Sequence, residues 1–382
     1  MMLLYRLSQP LIPIALWGAV TASCGSVMEK REASSSTTAS ATTGDVASAA
    51  GGSGSTSGGG GASTGAGGSD GTGGVADCTA PQISVLAAGQ NEIEGLALDD
   101  TSIYWSNYDH VAQKGQIRRI AKAGGAVGVI ANIAKFAPWD IAVDATRVYW
   151  STRTSTSLNG FSYPEIKIYS APKAGGPSAK TELASVFDAV ATGLALDDTR
   201  VYWSTTRDVI LSTLKDNTEG PTTVLAANPK FQLLRRNIAV DADHVYWMEG
   251  AVDILSMPKS GGMPTALATQ PPDAFYFAMD AMRIYWGDTD LGHISSIPRG
   301  GGAPKILVSG EDRVIGVAVN SSCVYWMSSN LMDLRVRAAP KSGGAAITIA
   351  TLQQSTKYVV VADETHVYWE DRATHSIMQA NK

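Results

Sequence analysis

Asp241–Gly262 reads DADHVYWMEGAVDILSMPKSGG, and near copies of this stretch recur along the chain from Cys78 to its end. Its first part is an Asp followed by a short turn, because an Asx side chain bonds its own backbone two residues on. Val245-Tyr246-Trp247 then has the β-branched and aromatic character of a strand. Ile254 to Met257 reads as a further strand, and Lys259-Ser-Gly-Gly closes the unit with a pair of glycines suited to positive backbone angles.

Working outward, the Tyr-Trp pair appears seven times, at Tyr104, Tyr149, Tyr202, Tyr246, Tyr285, Tyr325 and Tyr368, in steps of about 39 to 53 residues. Periods in this range mark solenoids, propellers or arrays. An apolar run ends five residues before each Tyr, in Asp99, Asp144, Asp197, Asp241, Asp280, Asn320 and Asp363. After each pair an Ile or Val stands five residues before a Lys or Arg: Lys122, Lys173, Lys215, Lys259, Arg299, Lys341 and Lys382. Short apolar stretches such as Thr265 to Ala268 and Lys305 to Val308 supply a fourth strand. Four antiparallel strands per unit of about 43 residues describe one blade of a β-propeller. The expectation is an all-β, seven-bladed propeller over 78–382, with no long helix, since no window has a 3.6-residue apolar period.

The seventh copy stops at Lys382, before its outer strand. The missing strand is readable at the other end, where Cys78 to Gln90, CTAPQISVLAAGQ, matches KSGGAAITIATLQ from Lys341 onward. Pairing the N-terminal strand into the last blade closes the ring and removes an exposed edge.

The Tyr-Trp strand between an apolar strand and an Ile-containing strand resembles the YWTD repeat of low-density-lipoprotein-receptor-type propellers, and is similar to TolB-like and NHL-type repeats. Tyr285-Trp286-Gly287-Asp288 and Tyr368-Trp369-Glu370-Asp371 come nearest the full motif; the other copies lack its Asp. YWTD propellers have six blades, whereas the count here is seven. The resemblance implies an extracellular ring that binds other molecules, usually proteins, and implies no chemistry.

Ahead of the repeats, residues 1–23 carry Arg6, an apolar segment from Leu11 to Val20 and the small residues Thr21-Ala22-Ser23 before Cys24. This is the pattern of a secretory signal peptide. It resembles a bacterial lipobox, in which Cys24 becomes the lipidated first residue, although Thr21 stands where Leu is usual; an ordinary secreted protein is the alternative. Residues 24–77 are dominated by Ser, Thr, Gly and Ala and cannot bury enough surface to offset ordering, so they read as a flexible tether. Gly61-Ala-Ser-Thr-Gly65 matches the nucleophile-elbow pattern but lacks the strand and helix that motif requires.

The net charge of −5, without a basic cluster, argues against nucleic acid as a partner. With Cys24 assigned to lipid, Cys78 and Cys323 are left near one face of blades 7 and 6, where they either remain thiols or pair in an oxidising compartment. No His or Cys spacing suggests a transition-metal site, and no cofactor is expected. The once-per-blade Asp residues belong to turns, and the Tyr-Trp pairs to packing between blades, with their polar atoms bonded locally.

Localised function should sit where the copies differ. The positions entering each inner strand carry Glu94, Trp139, Asp140, Arg235, Arg236, Asn237, Tyr276, Arg313 and Tyr358, a ring of mixed charge and aromatics at the channel mouth. The longest loop on that face, Ser151 to Glu165 in blade 2, adds Phe161 and Tyr163. Aromatic and Arg side chains on loops of a rigid scaffold are common binding anchors. The first reading is a non-catalytic, monomeric module of the cell envelope, meeting the membrane only through its N-terminal lipid and presenting this face to a protein, peptide or glycan. The second is a propeller hydrolase or lyase of lactonase or esterase type, with Ca²⁺ held by oxygens of Glu94, Asp140 and Asn237.

Overall fold

The computed structural model describes residues 78–382, apart from 80–81, 135, 159–160, 177–179, 188, 207–208, 217–221, 228–233, 250–252, 270–273, 331–332, 353–358 and 382. The chain divides into two units, Met1–Ser69 and Asp70–Lys382, and everything described lies in the second. Cys24 and the segment before Cys78 therefore lie outside the described residues.

Seven four-stranded antiparallel sheets make up the described unit, a seven-bladed β-propeller. Blades 1 to 6 are each a continuous run of four neighbouring strands. Their inner strands are Glu92–Leu98, Ala137–Val143, Ala191–Leu196, Leu234–Val240, Ala274–Met279 and Arg313–Val319. Blade 7 has Val360–Ala362 innermost, then His366–Asp371 and Ser376–Asn381. Its outer strand is Gln82–Ala87, which pairs with the last strand from Gln82↔Asn381 to Ala87↔Ile377. Each inner strand touches the next, and that of blade 7 touches that of blade 1, so the sheets form a ring. The ring is thus closed by a strand from the far end of the sequence. A disulfide joins Cys78, just ahead of that strand, to Cys323 at the start of the second strand of blade 6.

The Tyr-Trp dipeptide makes the blades cohere. Successive side chains on a strand point to opposite faces, so each pair serves two junctions. Tyr149 of blade 2 packs with Trp203 of blade 3, Tyr202 with Trp247, and Tyr246 with Trp286, each pair within one apolar cluster. The same arrangement carries Tyr368 of blade 7 onto Trp105 of blade 1. Trp105, Trp150, Trp203, Trp326 and Trp369 are fully buried. A buried aromatic removes roughly 150–250 Å² from water, which at about 25 cal/mol per Å² is an upper bound of roughly 4–6 kcal/mol each.

One feature recurs at the opposite end of the channel from the mouth. The Oδ1 of Asp99, Asp144, Asp197, Asp241, Asp280 and Asp363 accepts bonds from backbone amides two and three residues on, closing the turn. Its Oδ2 accepts the phenol of the Tyr five residues on, at 2.6 to 3.2 Å. The same oxygen also meets the cation of the next blade: Lys173–Asp99 at 2.5 Å, Lys215–Asp144 at 2.8 Å, Lys259–Asp197 at 2.7 Å, Arg299–Asp241 at 3.2 Å, Lys122–Asp363 at 2.6 Å, and Lys341–Asp280. Four of these ammonium groups lie over the Tyr ring as well, 5.2 to 5.4 Å from its centre. Burial by itself would raise these carboxyls. The cation and the amides outweigh it, holding Asp99, Asp144 and Asp197 far below the usual carboxylate range and Asp280 and Asp363 at about 2. Burial first, and the carboxylate second, push Tyr104 and Tyr246 up to about 12.

Two expectations are corrected. The phenols are bonded locally, but the indole N–H groups of Trp105, Trp150, Trp203 and Trp369 are buried without a hydrogen-bond partner. Packing fixes the position of these rings, whereas Trp326 donates to Glu311 at 3.0 Å. The Ser151 to Glu165 segment is no loop. It is a hairpin of two twelve-residue strands, Arg147–Leu158 and Phe161–Pro172, paired out to Leu158↔Phe161. Asn159-Gly160 between them is the dipeptide that favours a two-residue type I′ turn.

Candidate functional site at the channel mouth

Regular inner strands would present the same positions in every blade. Instead, the entering end of the inner strand bulges in blades 1 to 6. In blade 1, Ile93 pairs with Asn107 and Gly95 with Ser106, which leaves Glu94 over. In blade 2, Trp139 and Asp140 together oppose the single residue Ser151, between Pro138↔Thr152 and Ile141↔Trp150. Thr192 is the extra residue in blade 3, while in blades 5 and 6 the pairs Phe275-Tyr276 and Ile315-Gly316 each oppose one. Blade 4 goes further: Arg235, Arg236 and Asn237 lie between Leu234↔Glu249 and Ile238↔Trp247. A bulge bends the strand and re-aims side chains, which is why bulges gather at sites. All seven bulged residues of blades 1, 2, 4 and 5 foreseen at the mouth, apart from the strand ends, are members of these irregular stretches.

Glu94, Trp139, Asp140 and Tyr276 come together around one cavity of about 210 Å³ in the ring centre. Thr192, Phe277, Val317 and Val360 complete much of its wall and were not foreseen. Counting four or five residues back from the recurrent Asp would have found Thr192. Arg313 is exposed at the start of its strand and stays off the cavity wall. Arg235, Arg236 and Asn237 are placed by backbone register in blade 4; Phe161 and Tyr163 are placed likewise on the blade 2 hairpin, where Tyr163 pairs with Thr156. Tyr358 lies outside the described residues.

Asp140 is held firmly. Its Oδ1 accepts the Ile141 amide at 2.9 Å, and its Oδ2 accepts the Leu194 amide of blade 3 at 2.7 Å. Such charge-assisted bonds are about twice as strong as neutral ones. They fasten the blade 2 bulge to the neighbouring inner strand. Ser106 of blade 1 donates to the Trp139 carbonyl at 2.9 Å, so the bulge is tied on both sides. The Arg153 guanidinium stands 5.6 Å from the centre of the Trp139 ring, a cation–π pair at the root of the long hairpin. Gly95 lets the inner strands of blades 1 and 2 approach closely: a Cβ there would come within 3.0 Å of the Trp139 carbonyl oxygen. On the rim between blades 7 and 1, Glu92 accepts from His110 at 2.7 Å and from Arg372.

The arrangement is a preformed hollow with aromatic, apolar and acidic walls on rigid strands, suited to holding a group inserted from outside. Among the described residues, no three His, Cys, Asp or Glu side chains are grouped so as to hold a metal ion.

No protein-family model matches the chain, and no curated protein matches it. Among solved structures it is similar to the computationally designed Ika8 protein, with a TM-score of 0.52 and 12% identity over 78% of this chain and 98% of that one. It is also similar to a chain of the nidogen/laminin complex (TM-score 0.46, 19% identity, 66% and 93% covered). BamB from Moraxella catarrhalis gives a TM-score of 0.47 and 10% identity, with 76% and 86% covered. At such identities likeness extends to fold alone.

Proposed function

We propose that this chain is a binding module of the cell envelope that receives part of a protein, peptide or glycan partner at the mouth of its central channel. The observation carrying this reading is the contrast between the two ends of the ring. One end repeats the same Asp, Tyr and cation in six blades. At the other, the bulged strands of blades 1, 2, 3 and 5 carry different residues and converge on a cavity. Residues needed for folding repeat with the fold; residues that recognise a ligand need not.

The Cys78–Cys323 disulfide fits an oxidising, extracytoplasmic compartment. Lipid on Cys24 and the tether after it would hold the ring near a membrane while leaving its mouth free to turn.

The test uses immobilised full-length wild type and a Trp139→Ala/Tyr276→Ala variant, each exposed to solubilised envelope from the parent cell. The expected result is a partner retained by wild type and lost at least tenfold from the variant, with unchanged thermal unfolding. Equal retention of the same partners by both proteins would refute the site.

A further inference from the structure

The seven junctions between blades are not equivalent. Six carry a carboxylate bonded to the Tyr of its own blade and to the cation of the next. At the junction of blades 6 and 7 the acid is replaced by Asn320. Its Oδ1 still closes the turn, accepting the Ser322 and Cys323 amides at 3.0 and 2.8 Å. The other end of the side chain has changed sign. Where six blades offer Oδ2 as an acceptor, Asn320 offers Nδ2 as a donor, bonded to Tyr325 Oη at 3.2 Å and to the Asp363 carbonyl at 2.9 Å. By the repeat in the sequence, the cation for this junction is Lys382, which lies outside the described residues.

This junction is also the seam of the ring. Every other blade is one continuous run of chain, whereas blade 7 holds its outer strand, Gln82–Ala87, through pairing with Ser376–Asn381. The disulfide sits here too. Cys323 is three residues past Asn320, and both sulfur-bearing residues are buried in the blade 6/7 cluster with Val336, Trp369 and Ala380.

We infer that the Cys78–Cys323 bond is the ring's seventh latch, replacing covalently the carboxylate–cation pair that Asn320 forgoes, so that closure of the ring depends on the oxidation state of these two cysteines. A dithiol reductant would break the S–S bond, giving two cysteine thiols as the reductant becomes its own disulfide. The outer strand of blade 7 would then be held only by its ladder hydrogen bonds and the burial of Leu86 and Ala87, with no covalent tie, and its departure would bare the edge of Ser376–Asn381.

Hydrogen exchange on the full chain tests this. In oxidised wild type, amides of 82–87 and 376–381 should exchange as slowly as those of the blade 6 outer strand, 347–352. In a Cys78→Ala/Cys323→Ala variant, exchange at 82–87 and 376–381 should rise at least tenfold while 347–352 is unchanged. Adding Asn320→Asp to that variant restores the acid present in the other blades, and should return at least half of the lost protection on a logarithmic scale. If the alanine pair does not fold, folded wild type and Asn320→Asp are compared after transfer into dithiothreitol, with the same outcomes expected. Seam protection that survives loss of the disulfide, or that Asn320→Asp fails to improve, would overturn the inference.

Discussion

At the scale of single residues, Asp197 combines three tasks. It closes a turn, accepts the Tyr202 phenol at 2.6 Å and meets Lys259 at 2.7 Å. Replacing it by Ala removes all three. The site lies between the surface pair worth about 0–1 kcal/mol and the buried pair whose rupture costs roughly 3–5. A loss of about 2 kcal/mol is expected, measured by denaturant unfolding with an unchanged slope. The pH dependence follows from the same contacts. These carboxyls titrate lower in the folded ring than in the unfolded chain, so their stabilisation is complete above about pH 4. It fades as pH falls toward about 2, the value at Asp280 and Asp363. The phenols are shifted the other way: their contribution is intact below about pH 10 and is lost as pH rises through about 12, the value at Tyr104 and Tyr246. A melting temperature that fell between pH 5 and 9 because of these groups would contradict the geometry. Trp203, fully buried between blades 2 and 3, should cost about 3–5 kcal/mol on change to Ala.

At the scale of elements, the bulges and the long hairpin separate function from folding. Asp140 anchors the blade 2 bulge to the blade 3 inner strand through Leu194. Asp140→Ala should cost about 1–3 kcal/mol, since it leaves a buried amide without its charged partner, and should weaken partner capture along with stability. The hairpin behaves differently. Beyond Thr154↔Glu165 it extends past the reach of the blade's outer strand, whose pairing ends at Glu165↔Phe187. Trimming residues 155–164 to a two-residue turn should leave the unfolding midpoint nearly unchanged, and calorimetry would show any dependence of the ring on it. Its presence was signalled by Asn159-Gly160. The strands around it are rich in Ser and Thr and carry no apolar alternation, so the segment resembles a loop in composition.

At the scale of the whole ring, the seven blades are closed by the pairing of Gln82–Ala87 with Ser376–Asn381. Deleting residues 78–87 removes the outer strand of blade 7 and its disulfide, and should replace one cooperative transition by a broadened, lower-temperature one in scanning calorimetry. Retention of a single sharp transition would mean that the other six junctions suffice. The blade number, the four strands per blade and the N-terminal closure were all legible in the sequence. Asp99 stands five residues before Tyr104 and Ile117 five before Lys122, and both spacings recur in every copy; local spacing is what builds a blade. About a third of the cavity wall was legible as well, since Glu94, Trp139, Asp140 and Tyr276 stand where copies that otherwise agree depart from one another.

The chain's periodicity by itself determined the fold, because a blade is a local object whose hydrogen bonds join residues close in sequence. Tertiary structure alone decided which cation meets which acid, that Asn320 marks a seam stapled by Cys78 and Cys323, and that bulged residues from several blades share one cavity. Those facts depend on contacts between blades. A spacing within one repeat carries no information about the repeat it will face.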